Sequence, residues 1–298
     1  MCFVPVIREL FQRIYTVHPE CPPKLEERRR VYRDDHRPTN RGTNFRETTL
    51  AMSPWHDTDH FWEAFQDVMF NRRRWDLADE EADGVIRLTG IEQGAEVLDL
   101  CCGPGRHAFA LGERGYQVTG VDRTASYIES ATTRAGELDA NLEFLVGDAR
   151  VYQNPGRFDA AICLYTSFGY FETEDEDLQL LKNVCVSLKD SGTFVLDMNG
   201  KEVLQRTFTD RSSEDLEDGS TFSEERTIGP EWDWMENRWV VTRGGVERET
   251  TWRVRLYSGE ELRSILLLAG FESVELYGDW TGTPYDDQAR RLIAVARK

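Results

Sequence analysis

The chain has 298 residues, and its 36 Lys and Arg against 54 Asp and Glu give a net charge of −18. A field of that sign repels phosphate backbones and anionic membranes, so we expect neither nucleic acid nor a membrane as a partner. Hydrophobic residues make up 40% of the chain, which excludes disorder by composition, and no apolar run approaches the roughly 20 residues of a membrane span.

The first 51 residues differ in composition from the rest. Residues 1–50 hold ten Lys or Arg and seven Asp or Glu, with almost no apolar periodicity after Tyr15. We therefore expect residues 1–51 to form a loosely ordered N-terminal extension. Arg8 and Glu9 lie where a secretory signal would have its apolar core, so a cytoplasmic location is expected.

Residues 52–207 are predicted to hold N-terminal helices and a cofactor-binding core. Phe61, Phe65 and Val68 recur at helical spacing, and the pattern continues to Leu88, which indicates two helices before the first strand. Short apolar runs then alternate with helical segments, with strands predicted at 96–100, 117–122, 142–147, 158–164 and 193–197 and helices at 106–114, 124–138 and 175–189. Apolar strands separated by helices are typical of a parallel sheet covered on both faces.

Residues 208–257 break this rhythm. Apolar and polar residues alternate on both sides of Gly244 and Gly245, which predicts an antiparallel hairpin within a small β insertion. Side chains of its second strand should alternate between two faces, with Trp252, Val254 and Leu256 on one face and Arg253, Arg255 and Tyr257 on the other.

Residues 258–298 are predicted to complete the core. Ser258 and Glu261 can form a capping box for a helix that Gly270 can end. The runs at 271–277 and 290–298 supply two more strands, for a total of seven. The predicted fold is a doubly wound, mostly parallel seven-stranded α/β sheet with an N-terminal helical cover and a small antiparallel β insertion.

A glycine loop follows the first predicted strand. Gly103 and Gly105 let the backbone approach a ligand closely, and Ala108 permits tight packing of the next helix on the sheet. This spacing indicates a nucleotide cofactor, but taken alone it fits a nicotinamide enzyme nearly as well as other classes.

Three acids stand at the ends of three successive strands around this loop: Asp99, Asp122 and Asp148. Asp99 would repel a pyrophosphate, whereas an ammonium or a sulfonium is attracted to it. Asp122 can accept hydrogen bonds from both ribose hydroxyls, and Asp148 can accept one from an adenine amino group. Together they favour S-adenosylmethionine over a dinucleotide.

With these residues the chain resembles the class I (Rossmann-like) S-adenosylmethionine-dependent methyltransferases over roughly residues 62–298. The likeness is strongest to the small-molecule branch with an antiparallel insertion after the fifth strand, as in glycine and amino-sugar N-methyltransferases. The resemblance implies that the insertion covers the substrate and that the segment LYTSFGYF, at 164–171, faces the methyl group. DNA and RNA amino-methyltransferases usually carry an Asn- or Asp-Pro-Pro-aromatic motif there, which this chain lacks.

The resemblance also supplies candidate site residues. Cofactor binding is predicted for Asp99, Gly103, Gly105, Asp122, Arg123, Asp148, Ala149 and Leu164. Acceptor contacts are predicted for Tyr165, Phe168, Tyr170, Arg255 and Tyr257. The aromatic residues could equally pack under the next helix, and Arg255 and Tyr257 could lie on an exposed sheet face. Arg74 either faces solvent or pairs with the cofactor's carboxylate. Neither a metal site nor a catalytic base is predicted.

The predicted function is S-adenosylmethionine-dependent methyl transfer to a small-molecule N or O acceptor. Two alternatives stay open: an NAD(P)-binding Rossmann oxidoreductase, and a catalytically silent partner protein that only binds the cofactor. The sequence specifies neither the acceptor's identity nor the oligomeric state.

Overall fold

The computed structural model describes residues 54–138 and 141–298, beginning with a short 3-10 turn at Trp55–Asp57. The extension predicted at 1–51 lies outside the described residues, and its order stays a prediction. Within the described part of the chain, no helix combines the length and the apolar character needed to cross a membrane.

The described strands are β1 (Glu96–Leu100), β2 (Gln117–Asp122), β3 (Leu142–Val146), β4 (Phe158–Cys163), β5 (Leu188–Met198), β6 (Arg211–Asp215), β7 (Thr221–Ile228), β8 (Trp234–Arg243), β9 (Val246–Arg255), β10 (Ser273–Tyr277) and β11 (Leu292–Arg297). Seven of them form the larger sheet in the order β10-β11-β5-β4-β1-β2-β3. Strands β1 to β5 run parallel, and β11 is antiparallel to both of its neighbours. The predicted mostly parallel, seven-stranded sheet is confirmed.

The described helices are α1 (Asp59–Ala64), α2 (Gln66–Met69), α3 (Arg72–Thr89), α4 (Arg106–Glu113), α5 (Ala125–Leu138), α6 (Glu174–Ser187), α7 (Lys201–Thr207) and α8 (Gly259–Leu268). The cover consists of α1, α2 and α3 rather than two helices. It is divided because Phe65 and Phe70 leave helical geometry and Asn71 caps α3, its side chain accepting a hydrogen bond from the Arg74 N–H.

Helices pack on both faces of the larger sheet because its strands are apolar on both. The adjacent residues Val195 and Leu196 of β5 are fully buried and point to opposite faces. Leu196 shares a cluster with Leu266 of α8, whereas Val195 shares one with Val85 of α3 and Leu111 of α4. Burying each such side chain contributes roughly 1.5–3 kcal/mol, so this core holds the carboxyl ends of the strands in place.

Strands β6 to β9 form a separate antiparallel sheet in strand order. Gly244 and Gly245 join β8 to β9 with φ of +58° and +83°, the backbone that a two-residue hairpin turn requires. The predicted hairpin is therefore confirmed. Trp252 and Val254 face inward and share a buried cluster with Phe61 of α1, which ties this sheet to the helical cover.

Candidate active site

The carboxyl ends of β1, β2 and β3 lie side by side at one edge of the larger sheet. Strand β4 pairs with β1 on the side opposite β2, so the direction in which strands are added reverses between β1 and β4. Open α/β sheets bind ligands in the crevice at such a reversal. The glycine loop at 101–105 leaves β1 at this point.

The glycine loop has an unusual backbone. Cys101, Gly103 and Gly105 have φ of +60°, +55° and +85°. Only glycine adopts this region freely, so Cys101 is strained. A side chain at position 103 would begin 2.8 Å from the ring of Phe70, which leaves room for backbone alone.

Asp99 is the second-to-last residue of β1, just before this loop, and is 1% exposed. Its Oδ2 has no hydrogen-bond partner among the described residues. Burial raises the pKa of its carboxyl to about 7, and nearby Arg106 opposes that shift. A buried carboxylate oxygen without a partner fits a cationic ligand group, because such a group would supply the missing hydrogen bond.

Asp122 ends β2 and supports the glycine loop. Its Oδ2 accepts a hydrogen bond from the Gly103 N–H at 2.9 Å, and its Oδ1 accepts one from the Thr124 N–H at 2.8 Å. Burial raises its pKa, and these two hydrogen bonds oppose the shift. Each carboxylate oxygen keeps acceptor capacity, so Asp122 can hold the loop and still accept from a ligand hydroxyl.

Asp148 follows β3 and is engaged in a way that the sequence did not reveal. Arg150 Nε lies 3.0 Å from both of its carboxylate oxygens, and Arg150 Nη2 lies 2.9 Å from Asp57 Oδ1. Burial alone would raise the pKa of Asp148, but the hydrogen bonds from Arg150 outweigh it and lower the pKa. An adenine amino group would therefore share this carboxylate with Arg150.

Arg123, predicted to bind the cofactor, also contacts the cover. Its guanidinium donates to the carbonyl oxygens of His56 at 3.0 Å and Asp57 at 2.8 Å. The turn at Trp55–Asp57 is thus held by two arginines, Arg123 next to Asp122 and Arg150 near Asp148. Among the other predicted cofactor residues, Ala149 and Leu164 are buried beside these loops.

The segment after β4 makes a tight turn at the same edge. Tyr165 and Thr166 both have φ of +62°. The Tyr165 N–H donates to Asp197 Oδ2 at 2.9 Å, and Arg291 forms a bidentate ion pair with Asp197 at 2.7 and 2.8 Å. Asp197 lies near the end of β5, so this strand, like β1, β2 and β3, carries an acid at the carboxyl edge of the sheet. That acid fixes the turn.

The predicted acceptor residues after β4 have different surroundings. Tyr165 and Tyr170 are half-buried, and the ring of Tyr170 lies 4.9 Å from that of Trp55. Phe168 is buried in the core with its ring 5.3 Å from that of Tyr257. Phe168 therefore packs in the core, as the alternative to acceptor contact proposed for these aromatic residues. Tyr165 and Tyr170 stay candidates for the site.

Arg255 and Tyr257 are buried rather than on an exposed sheet face, and their contact with an acceptor stays a prediction. Tyr257 is 4% exposed, and its hydroxyl donates to Asp177 Oδ2 at 2.8 Å. Arg255 Nε donates to the same oxygen at 3.1 Å. Burial raises the pKa of Asp177 to about 6, and these two hydrogen bonds oppose the shift. Asp177 lies about 80 residues before its partners, so alternation along β9 could not reveal the pairing.

A cluster that the sequence analysis did not assemble surrounds Tyr165. The guanidinium carbons of Arg74, Arg106 and Arg291 lie 4.7, 4.8 and 5.6 Å from the centre of its ring. We call these four residues the arginine cluster. The sequence analysis had named Arg74 and Tyr165 as candidates, and Arg106 directly follows the glycine loop, but nothing in the sequence joined them to Arg291. In the described ranges, no group of His, Cys, Asp and Glu could hold a metal ion.

Comparisons with known proteins find similarity to methyltransferases. Residues 97–192 match a family described as a methyltransferase domain. The cypemycin N-terminal methyltransferase of a Streptomyces species is 26% identical over 69% of this chain and 84% of its own length. The glycine/sarcosine N-methyltransferase of Aphanothece halophytica is 24% identical over 81% of this chain and 92% of its own.

A solved structure has the same fold. The S-adenosylmethionine-bound amino pentose methyltransferase CalS10 of Micromonospora echinaspora superposes with a TM-score of 0.59 at 23% identity. The match covers 80% of this chain and 96% of that protein.

Proposed function

From the premise that this chain is a class I methyltransferase that uses S-adenosylmethionine, we propose that it methylates a nitrogen or oxygen of a small-molecule acceptor. The observation that carries this proposal is the set of three acids at the ends of β1, β2 and β3 around one glycine loop. A nicotinamide dinucleotide would place its pyrophosphate against Asp99, so the geometry disfavours that alternative.

The described residues fit the cofactor. Asp99 has a buried oxygen without a partner for the ammonium, and Asp122 has acceptor capacity for the ribose hydroxyls. The backbone at Gly103 and Gly105 offers a surface without side chains. Asp148 takes part at the adenine end together with Arg150.

When bound, S-adenosylmethionine supplies a methyl group on a positively charged sulfur, which is already an activated leaving group. The chain's own task is to hold the acceptor in line with that methyl group and to exclude water. The turn at Tyr165 and Thr166 is suited to positioning because Asp197 fixes its backbone. An amine acceptor needs only to be neutral when it attacks the methyl group. We therefore assign no side chain as a general base.

Two features favour a small acceptor over a nucleic acid. The net charge of −18 opposes a polyanion. The sheet of β6 to β9 lies against the cover, and Trp252 comes within 6.2 Å of Tyr170 between ring centres. We propose that residues 208–257, which hold this sheet, form one wall of the acceptor pocket.

Calorimetry with S-adenosylhomocysteine tests the proposal. Asp122→Ala removes the ribose acceptor and the support of the Gly103 N–H, so its affinity should fall about 10- to 100-fold, or roughly 1.5–3 kcal/mol. Glu129→Ala, which changes an exposed acid on α5, is the matched control and should bind as the wild type does. Binding of NADH without binding of S-adenosylhomocysteine would contradict the proposal.

A further inference from the structure

Strand β6 forms an open edge of the small antiparallel sheet. In the described part of the chain it pairs with β7 alone, and all of its residues, Arg211–Asp215, are exposed. An edge of this kind presents unpaired backbone N–H and C=O groups to a partner strand. The strand contains no Pro, and its register with β7 is regular, so it lacks two features that keep many edges from pairing.

The hydrogen bonds at the two ends of β6 show which residues face the open edge. The carbonyl oxygen of Asp210 accepts from the Arg226 N–H at 2.8 Å, and the Leu216 N–H donates to the carbonyl oxygen of Ser220 at 2.7 Å. A residue of an antiparallel strand directs its N–H and C=O to one side, and the next residue directs them to the other. The even-numbered residues therefore bond to β7. The odd-numbered residues direct their backbone groups to the open edge, and these are Arg211, Ser213 and Asp215.

The charges along this edge are complementary to those of the same edge in a second copy. If two β6 strands pair antiparallel about Ser213, Arg211 of each copy lies opposite Asp215 of the other. Every outward-facing residue then belongs to a hydrogen-bonded pair that exchanges both of its N–H···O=C bonds. Registers centred on Arg211, Glu214 or Asp215 place like charges directly opposite each other, which is destabilising. A register centred on Ser212 leaves Arg211 opposite Ser213.

The contacts of the two charged side chains within the sheet leave room for a second partner. Arg211 Nε lies 3.5 Å from Glu225 Oε1, and the Arg211 side chain is 75% exposed. Asp215 Oδ1 accepts a hydrogen bond from the Thr221 hydroxyl at 3.0 Å. A guanidinium has several N–H donors and a carboxylate has two oxygens, so each group keeps capacity for an ion pair across the edge.

The net charge of −18 opposes the association of two copies at long range. Opposite charges directly across a strand pair offset that repulsion locally and select the register. A short, charged edge strand is also a means by which monomeric proteins avoid pairing. The two explanations differ in one respect, because only a paired edge depends on which charges stand opposite each other.

We propose that β6 is the docking surface for β6 of a second copy of this chain, with a twofold axis at Ser213 that joins the two small sheets into one. A twofold contact of this kind uses the same patch on both subunits. The contact is small, so the dimer is weak and its population depends on concentration. The inference depends neither on the methyl acceptor nor on the cofactor.

Sedimentation velocity of the full chain, from about 1 to about 200 µM, tests the proposal, because weak contacts of small area dissociate in this range. We expect the mass to rise from that of one chain to that of two. Arg211→Asp and Asp215→Arg each place like charges opposite each other and should weaken dimerisation about tenfold or more. The double variant restores opposite charges and should dimerise as the wild type does.

The matched control is Arg248→Asp, which changes an exposed arginine of β9 and alters the net charge as Arg211→Asp does. It should leave dimerisation unchanged. A wild type that stays monomeric over the whole range would overturn the proposal. A double variant that associates no better than the single variants would overturn it as well.

A second arm tests the backbone contact. Ser213→Pro removes an N–H that faces the open edge, and Pro is tolerated on edge strands for that reason. It should abolish dimerisation, whereas Ser213→Ala keeps the N–H and should dimerise. Thermal melting at low concentration shows whether each variant is folded, and the charge variants decide the question if Ser213→Pro is not. A folded Ser213→Pro variant that still dimerises would overturn the proposal.

Discussion

The two halves of the carboxyl edge differ in their charged side chains. The ends of β1, β2 and β3 carry Asp99, Asp122 and Asp148, with Arg150 paired to Asp148, whereas beyond β4 three arginines surround Tyr165. A cationic cofactor group is complementary to the buried carboxyl of Asp99 in the first half. The difference shows that neighbouring strand ends of one sheet can carry different charges, because each half takes its charges from different elements.

We expect the largest effect on stability from breaking the ion pair between Arg291 and Asp197. Arg291→Met leaves Asp197, which is 1% exposed, buried without its ion-pair partner. Uncompensated burial of that kind costs about 3–5 kcal/mol, to be measured as the free energy of unfolding in urea. Asp197→Asn should cost less, because the amide oxygen still accepts from the Tyr165 N–H. If both variants lost the same free energy of unfolding, the prediction that Arg291 stabilises the buried charge of Asp197 would be wrong.

The acid half is expected to respond to pH through Asp99. Its pKa is raised to about 7 by burial, so the folded chain binds more protons than the unfolded chain between about pH 4 and pH 7. The contribution of Asp99 to stability therefore falls as pH rises through that window. Relative to the wild type, Asp99→Asn should gain roughly 3 kcal/mol of unfolding free energy between pH 5 and pH 8. If the difference in unfolding free energy between the two proteins did not change with pH, the raised pKa of the Asp99 carboxyl would be contradicted.

A smaller effect is expected in the glycine loop of the same half. Cys101→Gly and Cys101→Ala both delete the thiol, but only glycine adopts φ of +60° without strain. The glycine variant should be more stable than the alanine variant by about 1 kcal/mol, as judged by urea unfolding. Equal stability would show that the loop relaxes, and that its backbone is not fixed by the contact between Asp122 and Gly103.

The sequence predicted the acid half well because its signals are local. The strands Glu96–Leu100 and Gln117–Asp122 have the predicted bounds, since short apolar runs end at an acid and a loop. Asp197, near the end of β5, follows the same rule two strands further on and could have been found in that way.

The arginine half could not be predicted because its contacts join distant parts of the chain. Arg74 and Arg291 meet Tyr165 from opposite ends of the sequence, and no periodicity connects them. The hydrogen bond of Tyr257 could not be predicted for the same reason, because its partner Asp177 lies on α6.

The turn at Trp55–Asp57 has a consequence for motion. Arg123 and Arg150 come from the loops after β2 and β3, and both end on that turn. Loosening one loop leaves the turn held by the other, so the turn is released only when both guanidinium contacts break together. A segment held in this way opens as one unit with one free energy, on the microsecond-to-millisecond scale of collective motions. A ligand bound between the turn and the strand ends would leave no faster than that opening allows.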